Sequence, residues 1–192
     1  MCNLKNNPEN VPAVFAEDNK SVTEGLDIVT DRVVKYIITS GVTLSTAESC
    51  TGGMIAERIT SIPGASGIFA GGVVSYSEDV KVNVLGVKRE TLDKHTVYSA
   101  ETASEMSRGV MDLMKTEAAI AVTGLAGPSG GTAERPVGTV FVSVRHKNRE
   151  EVRDLRLYEE YESLDRELIR LLTVRRALEM LEGLLMSESE GE

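Results

Sequence analysis

The order of predicted helices and strands indicates an α/β protein, a three-layer α/β/α sandwich with a mixed, mostly parallel sheet. Helical and strand patterns alternate through the first two thirds of the 192 residues, as in chains that wind a parallel sheet. The stretch 68–75 is mostly apolar and 118–122 is continuously so, which is typical of strands buried on both faces. Two alternating, β-branched stretches, 137–145 and 151–158, flank a turn at 147–148 and predict an added antiparallel portion.

The helices follow from apolar residues that recur at three- and four-residue steps. Ser21 followed by Glu24 is a capping-box pattern, and it begins a helix that reaches about Thr39. Ser99 is placed to cap an amphipathic helix that buries one face. The other helices are predicted over 51–60, 78–85, 89–94 and 163–185.

Length and composition predict one globular domain over residues 21–186. A hydrophobic content of 41% with 27% charged residues is that of a chain with a full core. The polar segment 1–20 predicts a flexible tail, and the acidic segment 187–192 predicts another. Segment 1–20 lacks the features of a secretory signal, and Cys2 and Cys50 are not expected to pair, so we expect a cytoplasmic protein.

The charge balance and the side-chain inventory exclude several classes of partner. With 21 Lys and Arg against 30 Asp and Glu, the net charge of −9 opposes nucleic acid binding, which depends on neutralising phosphates. No apolar run approaches the roughly 18 residues of a membrane span. Two solitary histidines and no closely spaced cysteines predict no structural zinc site. A small anionic ligand is compatible with this charge where its pocket is locally positive.

Three loops follow three predicted strands. The first strand covers 42–45 and leads to the loop 49–53, and the other two loops cover 76–81 and 123–132. In open α/β sheets the ligand lies beyond the carboxyl ends of the strands, so we expect the three loops to converge on one crevice.

Ser49 is the leading candidate nucleophile. It stands where a strand turns into a helix, beside the unpaired N–H groups and positive dipole end of that helix. The alternative is an ordinary capping turn in which Ser49 or Thr51 accepts an N–H bond. Cys50 is a second candidate nucleophile, and because consecutive side chains on a turn point in different directions, we expect only one of the two to face the crevice.

A serine hydroxyl needs a base, and Lys81 is the better candidate for it. His95 lies in a polar connection and His146 at a hairpin, where a catalytic role is not expected. Lowering the pKa of a lysine by about 3 units costs on the order of 4 kcal/mol, which a buried site at strand ends can supply. Tyr76 could relay the proton or orient the amine. The alternative is a solvated Lys81 and a packed Tyr76.

The loop 123–132 is rich in glycine and offers backbone N–H groups to a phosphate or an oxyanion. No Gly-Lys-Ser/Thr sequence follows it, so it does not match a nucleoside triphosphate loop.

Three motifs in this order resemble one family, the C-terminal domain of competence-damage-inducible protein A, which includes stand-alone nicotinamide-nucleotide amidohydrolases. The similarity covers roughly residues 22–185. The motifs are Ala47-Glu48-Ser49-Cys50-Thr51-Gly52-Gly53, then Val74-Ser75-Tyr76 with Lys81 and 85–87, then 121–132 with 136–140.

The resemblance implies hydrolysis of the carboxamide of nicotinamide mononucleotide to nicotinic acid mononucleotide and ammonia, a step of pyridine nucleotide salvage. It places the family's serine–lysine pair on Ser49 and Lys81 and its assisting tyrosine on Tyr76, which decides against Cys50. It implies no metal and no cofactor, a small nucleotide substrate and a homodimer. The pyrophosphatase activity of larger, fused members is not expected in this chain.

The resemblance also implies substrate-binding residues. Arg145, near a strand end, would meet the negative charge of the ligand. The residues expected to line the pocket or donate N–H groups are Gly52, Gly53, Thr123 and Gly124. The alternatives are a non-catalytic module that binds pyridine nucleotides and a different serine amidase on the same fold.

The sequence departs from the family pattern at three places. Ser129 and Arg135 stand where glycine and lysine are more frequent, which are mild changes. Thr96-Val97-Tyr98 stands where Gly-Ala-Val is common, and this departure falls on the expected pocket rim or dimer surface.

Overall fold

The computed structural model describes residues 18–189, and a five-stranded sheet lies at its centre. The strands are β1 (Leu44–Glu48), β2 (Phe69–Val74), β3 (Ala118–Gly124), β4 (Val140–His146) and β5 (Arg149–Asp154). Their order across the sheet is β2-β1-β3-β4-β5. β1 pairs in parallel with β2 and β3, whereas β4 is antiparallel to both of its neighbours. Four strands therefore share one direction, and the predicted mixed, mostly parallel sheet is confirmed.

Helices cover both faces of this sheet. They are α1 (Asn19–Ser40), α2 (Met54–Thr60), α3 (Glu78–Asn83), α4 (Arg89–His95), α5 (Ala100–Met114), α6 (Leu157–Glu160) and α7 (Arg166–Ser189). On β3, Ile120 and Val122 point into the core formed with α1 and α7, and Ala119 and Ala121 point into the core formed with α5. This alternation produces the three predicted layers, because β3 is apolar on both sides.

The two ends of the described chain differ from the predicted boundaries. The carboxylate of Asp18 caps α1 by accepting from the backbone N–H of Ser21 at 2.8 Å, so Ser21 is not the cap. α7 continues to Ser189, into the segment predicted as an acidic tail. The flexible tail predicted over 1–20 lies mostly outside the described residues, as does the end of the acidic one.

β2 lies close against β1 and contains one irregularity. Ala70 is an extra residue between the partners of Leu44 and Ser45, which makes a bulge in β2. A side chain on Gly72 would place its Cβ 2.3 Å from Oγ1 of Thr46, so this position accepts only glycine. The close approach fixes the register of β2 on β1, and with it the relative position of the two strand ends.

The parallel neighbours β2, β1 and β3 bring their carboxyl ends to one edge of the sheet. The three loops that follow these strands therefore meet, as the sequence predicts. Among residues 18–189, no helix combines the length and the apolar character needed to cross a bilayer.

Candidate active site

Ser49 and Lys81 lie together at this edge of the sheet. Ser49 follows β1 directly, and its N–H donates to the carbonyl of Val122 at 3.1 Å, which extends the pairing of β1 with β3. Lys81 lies on α3, and its Nζ donates to the carbonyl of Ser75 at 2.6 Å. The same Nζ lies 3.2 Å from Oγ of Ser49. The predicted nucleophile and base are thus within hydrogen-bond distance of each other.

The surroundings of the Lys81 amine favour its neutral form. Its side chain is almost fully buried, with 2% exposure. Burial lowers the pKa of Lys81 below the ordinary 10.5, against the opposing charge effects of Cys50 and Glu78, which raise it. A lysine acts as a base only when it is neutral, and burial shifts the protonation of this amine in that direction.

Cys50 is among the residues that line the cavity, as is Ser49. The expectation that only one of the two side chains faces the crevice stays a prediction. Burial raises the pKa of the Cys50 thiol to about 12, so the thiol stays protonated at neutral pH. Since the thiolate is the nucleophilic form of cysteine, the structure favours the Ser49 hydroxyl.

The turn around Ser49 is held by Glu48, the last residue of β1. Its carboxylate is buried and accepts from the backbone N–H groups of Gly53, Ile55 and Ala56 at 2.9 to 3.0 Å and from the hydroxyl of Thr51 at 2.8 Å. Glu48 thereby binds the first N–H groups of α2, the task that the capping alternative gave to Ser49 or Thr51. That alternative is wrong, and the Ser49 hydroxyl is left to face Lys81.

A cavity of about 360 Å³ lies around the pair, a volume within the range of small-molecule sites. The loop after β3 supplies much of its lining, from Gly124 to Gly130. A Cβ on Gly124 would lie 2.7 Å from the carbonyl oxygen of Thr139, so the start of this loop requires glycine. Gly124 is itself one of the lining residues, the place that the sequence analysis expected for it.

Arg166, in the first turn of α7, is the cation at the exposed side of the cavity. Its Nη1 donates to the carbonyl of Gly127 at 2.7 Å, and its Nη2 lies 3.4 Å from the hydroxyl of Tyr76. Arg166 was not predicted. The one signal for it is a cation in the first turn of a helix, where the helix dipole disfavours positive charge.

Tyr76 lines the cavity but lies mostly in solvent, with 66% exposure. Its hydroxyl is beside Arg166, and no hydrogen bond within residues 18–189 joins it to Lys81 or Ser49. The predicted relay of a proton, or orientation of the amine, has no contact to support it in this geometry.

Three of the predicted binding residues act within the scaffold instead. The N–H of Gly52 donates to the carbonyl of Ser49, and that of Gly53 donates to Glu48. Thr123 is buried, and its hydroxyl donates to the carbonyl of Val97 at 2.6 Å. None of the three is among the residues that line the cavity, so their contact with a ligand stays a prediction. Thr123 instead positions Val97, which does line it.

The prediction for Arg145 is wrong. β4 runs against β3, so Arg145, near the end of β4, pairs with Ala119 at the start of β3. It lies on the order of 13 Å along the strand from Thr123, at the opposite edge of the sheet. There it is buried and forms an ion pair with Glu150.

Neither histidine is among the residues that line the cavity. His95 faces Glu101 at 3.2 Å, and His146 pairs with Ala118 at the far end of the sheet. Over residues 18–189, no group of three or more His, Cys, Asp or Glu side chains is arranged to hold a metal ion.

Residues 26–185 match the family model of the CinA C-terminal domain. A protein of Acetivibrio thermocellus, named among the competence-damage inducible proteins, is 47% identical over 152 residues, which are 79% of this chain and 36% of that protein. The CinA-like protein of Shewanella pealeana is 40% identical over 177 residues, 92% of this chain and 39% of its own length. The chain thus matches little more than a third of the length of these relatives.

Solved structures agree with this assignment. The competence/damage inducible protein CihA from Agrobacterium tumefaciens superposes with a TM-score of 0.78 at 40% identity, over 83% of this chain and 95% of that one. A CinA superfamily protein from Klebsiella pneumoniae gives a TM-score of 0.78 at 34% identity, over 84% and 98%. The chain belongs to the family of CinA C-terminal domains.

Proposed function

We propose that this protein hydrolyses the carboxamide of nicotinamide mononucleotide to nicotinic acid mononucleotide and ammonia, with Ser49 as nucleophile and Lys81 as base. The observation that supports it best is the buried amine of Lys81, 3.2 Å from the hydroxyl of Ser49 in a cavity of ligand size. The family resemblance supplies the substrate. It also implies a homodimer that works in cytoplasmic pyridine nucleotide salvage.

In the first half of the reaction the neutral amine of Lys81 accepts the proton of the Ser49 hydroxyl. The carbonyl of Ser75 accepts one N–H bond from the same amine at 2.6 Å, and the lone pair of the neutral amine is free to take the Ser49 proton. The Ser49 oxygen attacks the carboxamide carbon and forms a tetrahedral intermediate. Lys81 then returns the proton to the leaving nitrogen, the C–N bond breaks, and ammonia departs from an ester on Ser49.

Water completes the cycle by the same route in reverse. Lys81, neutral again, takes a proton from water, the hydroxide attacks the ester carbon, and the proton passes to the departing oxygen of Ser49. The products are the carboxylic acid, which then loses its proton to solvent, and the regenerated hydroxyl. One amide bond and one water molecule are consumed for each ammonia released.

Two other parts of the cavity serve the substrate in this scheme. The backbone of the loop from Gly124 to Gly130 offers N–H groups to the oxygen that becomes negative in the intermediate. Arg166 takes the role first assigned to Arg145 and binds the phosphate, because it is the guanidinium that lines the cavity. A locally positive group lets a chain of net charge −9 bind an anionic nucleotide.

The test is ammonia release from nicotinamide mononucleotide, with the acid product identified by mass spectrometry. Ser49→Ala and Lys81→Ala should each lower the rate at least about 100-fold, as loss of a nucleophile or general base does. Cys50→Ala, at the neighbouring lining position, and Lys94→Ala, at an exposed lysine of α4, are the matched controls and should retain most activity.

The same assay separates the alternatives. Tight binding of the nucleotide by the unmodified protein with no ammonia would favour the non-catalytic module. Turnover of a different amide alone would favour another serine amidase. Full activity of Ser49→Ala would contradict the proposed mechanism itself.

A further inference from the structure

Two aromatic rings and a carboxylate share the cavity with the catalytic pair. They belong to Tyr76, Tyr98 and Glu78, all of which contribute to its lining. Tyr76 is exposed and Tyr98 is half-buried, so both offer ring surface to a ligand. The scheme above uses neither Glu78 nor Tyr98.

The charge around Glu78 is not fully balanced. Arg89 donates to Glu78 at 2.9 Å and to Asp79 at 3.2 Å, so one guanidinium serves two carboxylates. Of the two carboxylates only Glu78 lines the cavity, so Glu78 is the one that a ligand in the cavity can contact.

Tyr98 is presented by a firmly held segment. Thr96 has a positive φ of 71°, which is unfavourable for a β-branched residue, and its hydroxyl accepts from Arg135 at 2.9 Å. The carbonyl of Thr96 accepts from Thr102 at 2.8 Å, and that of Val97 accepts from Thr123 at 2.6 Å. These bonds fix the backbone on the N-terminal side of Tyr98, so holding this residue at the cavity costs little conformational entropy.

We propose that Glu78 and Tyr98 make this cavity selective for a planar ring that carries a positive charge. An aromatic face and a nearby carboxylate both attract a cation, and a flat ring stacks on tyrosine. The inference rests on the proposed function, because the ring of nicotinamide mononucleotide is a pyridinium made cationic by its N-glycosidic bond. With Arg166 in the same cavity, the site offers opposite charges to the two ends of a zwitterionic ligand.

The test compares two ligands of nearly the same shape. One is nicotinamide mononucleotide, and the other is benzamide riboside 5′-monophosphate, whose ring is neutral. Binding is measured by calorimetry on full-length protein carrying Ser49→Ala, so that neither ligand is consumed. The protein carrying Ser49→Ala alone should bind the cationic ligand about tenfold more tightly than the neutral one.

Glu78→Gln, added to Ser49→Ala, should weaken the cationic ligand about three- to tenfold and change the neutral one less than about twofold. Asp79→Asn is the matched control, because it removes the other carboxylate bound to Arg89 but does not line the cavity. It should change the preference much less than Glu78→Gln does. Tyr98→Val should weaken both ligands and the cationic one more, and Tyr98→Phe should restore the preference.

Three results would overturn the inference. Equal weakening of both ligands by Glu78→Gln would show a general effect on the cavity. An equal shift of the preference by Asp79→Asn would show a long-range charge effect. Equal binding of both ligands by the Ser49→Ala protein would show that the cavity does not distinguish the charge of the ring.

If the unmodified protein still releases ammonia from nicotinamide mononucleotide in any of these cases, the proposed function stands and only the selectivity fails. Absence of both binding and turnover removes both proposals.

Discussion

The Nζ atom of Lys81 and the Oγ atom of Ser49 lie 3.2 Å apart, although the two residues are 32 positions apart in the sequence. Parallel pairing of β1 with β2 produces this distance, because it sets Glu48 opposite Val74. Ser49 and Ser75 then leave the sheet side by side, and Lys81 reaches back to the carbonyl of Ser75. The same burial that holds the amine in place lowers its pKa.

Replacing Lys81 by methionine should separate function from stability. Activity should fall about 100- to 10,000-fold, since a general base is lost. The free energy of unfolding at neutral pH should rise, because methionine fills the same space without a buried amine. Urea unfolding and ammonia release measure the two effects. Lys94→Met, at an exposed position on α4, should alter neither. A destabilised Lys81→Met protein would contradict the account.

The rate should depend on the protonation of Lys81. Because burial lowers the pKa of this amine, kcat/KM should rise with pH and level off at a pKa below 10.5. Glu78 raises the pKa of Lys81, so Glu78→Gln should move the rise to lower pH. Between the lowered pKa of the folded protein and 10.5, Lys81 carries a proton in the unfolded chain but not in the folded one. The free energy of unfolding should therefore also increase with pH through that window. A pH-rate profile that does not change in Glu78→Gln would argue against this coupling.

Glu48→Ala should impair both folding and catalysis. It leaves three N–H groups at the start of α2 without their acceptor, which costs about 2 to 4 kcal/mol of stability. The turn that carries Ser49 loses its support, so kcat should fall as well. Glu57→Ala, at an exposed position of the same helix, is the control and should cost less than about 0.5 kcal/mol. Equal effects of the two substitutions would contradict the role given to Glu48.

Gly124→Ala should displace the loop that lines the cavity. Its Cβ would lie 2.7 Å from the carbonyl oxygen of Thr139 and 2.8 Å from Cα of Val140, and relief of that contact costs about 1 to 3 kcal/mol. Activity should drop together with stability. Gly183→Ala is the contrast, because it lies in α7 with open space around it and should stabilise by about 0.5 to 1 kcal/mol. Thermal unfolding of both variants measures this difference.

The sequence predicts that the loops carrying Ser49 and Lys81 converge, and the family resemblance pairs the two residues. Both follow apolar, β-branched runs that read as parallel strands, and the carboxyl ends of neighbouring parallel strands share an edge. The same reasoning failed for Arg145, because it lies near the end of a strand that runs the other way. Strand direction depends on which strands become neighbours, and local residue patterns do not encode that.

Two residues of the site were beyond local sequence patterns for physical reasons. Glu48 lies within a strand that is buried along its whole length, where a carboxylate is not expected without a partner. Its partners are N–H groups that exist only once α2 has formed. Arg166 comes from α7, far along the chain from the other lining residues, and its distance from them is set by the packing of that helix on the sheet.

In the proposed reaction the acyl group of the substrate passes through the oxygen of Ser49. Rapid quenching of the reaction with nicotinamide mononucleotide, followed by peptide mass spectrometry, detects this step. We expect an acyl adduct on Ser49 that is absent from Ser49→Ala. An adduct on Cys50 instead, with Ser49→Ala still releasing ammonia, would contradict it.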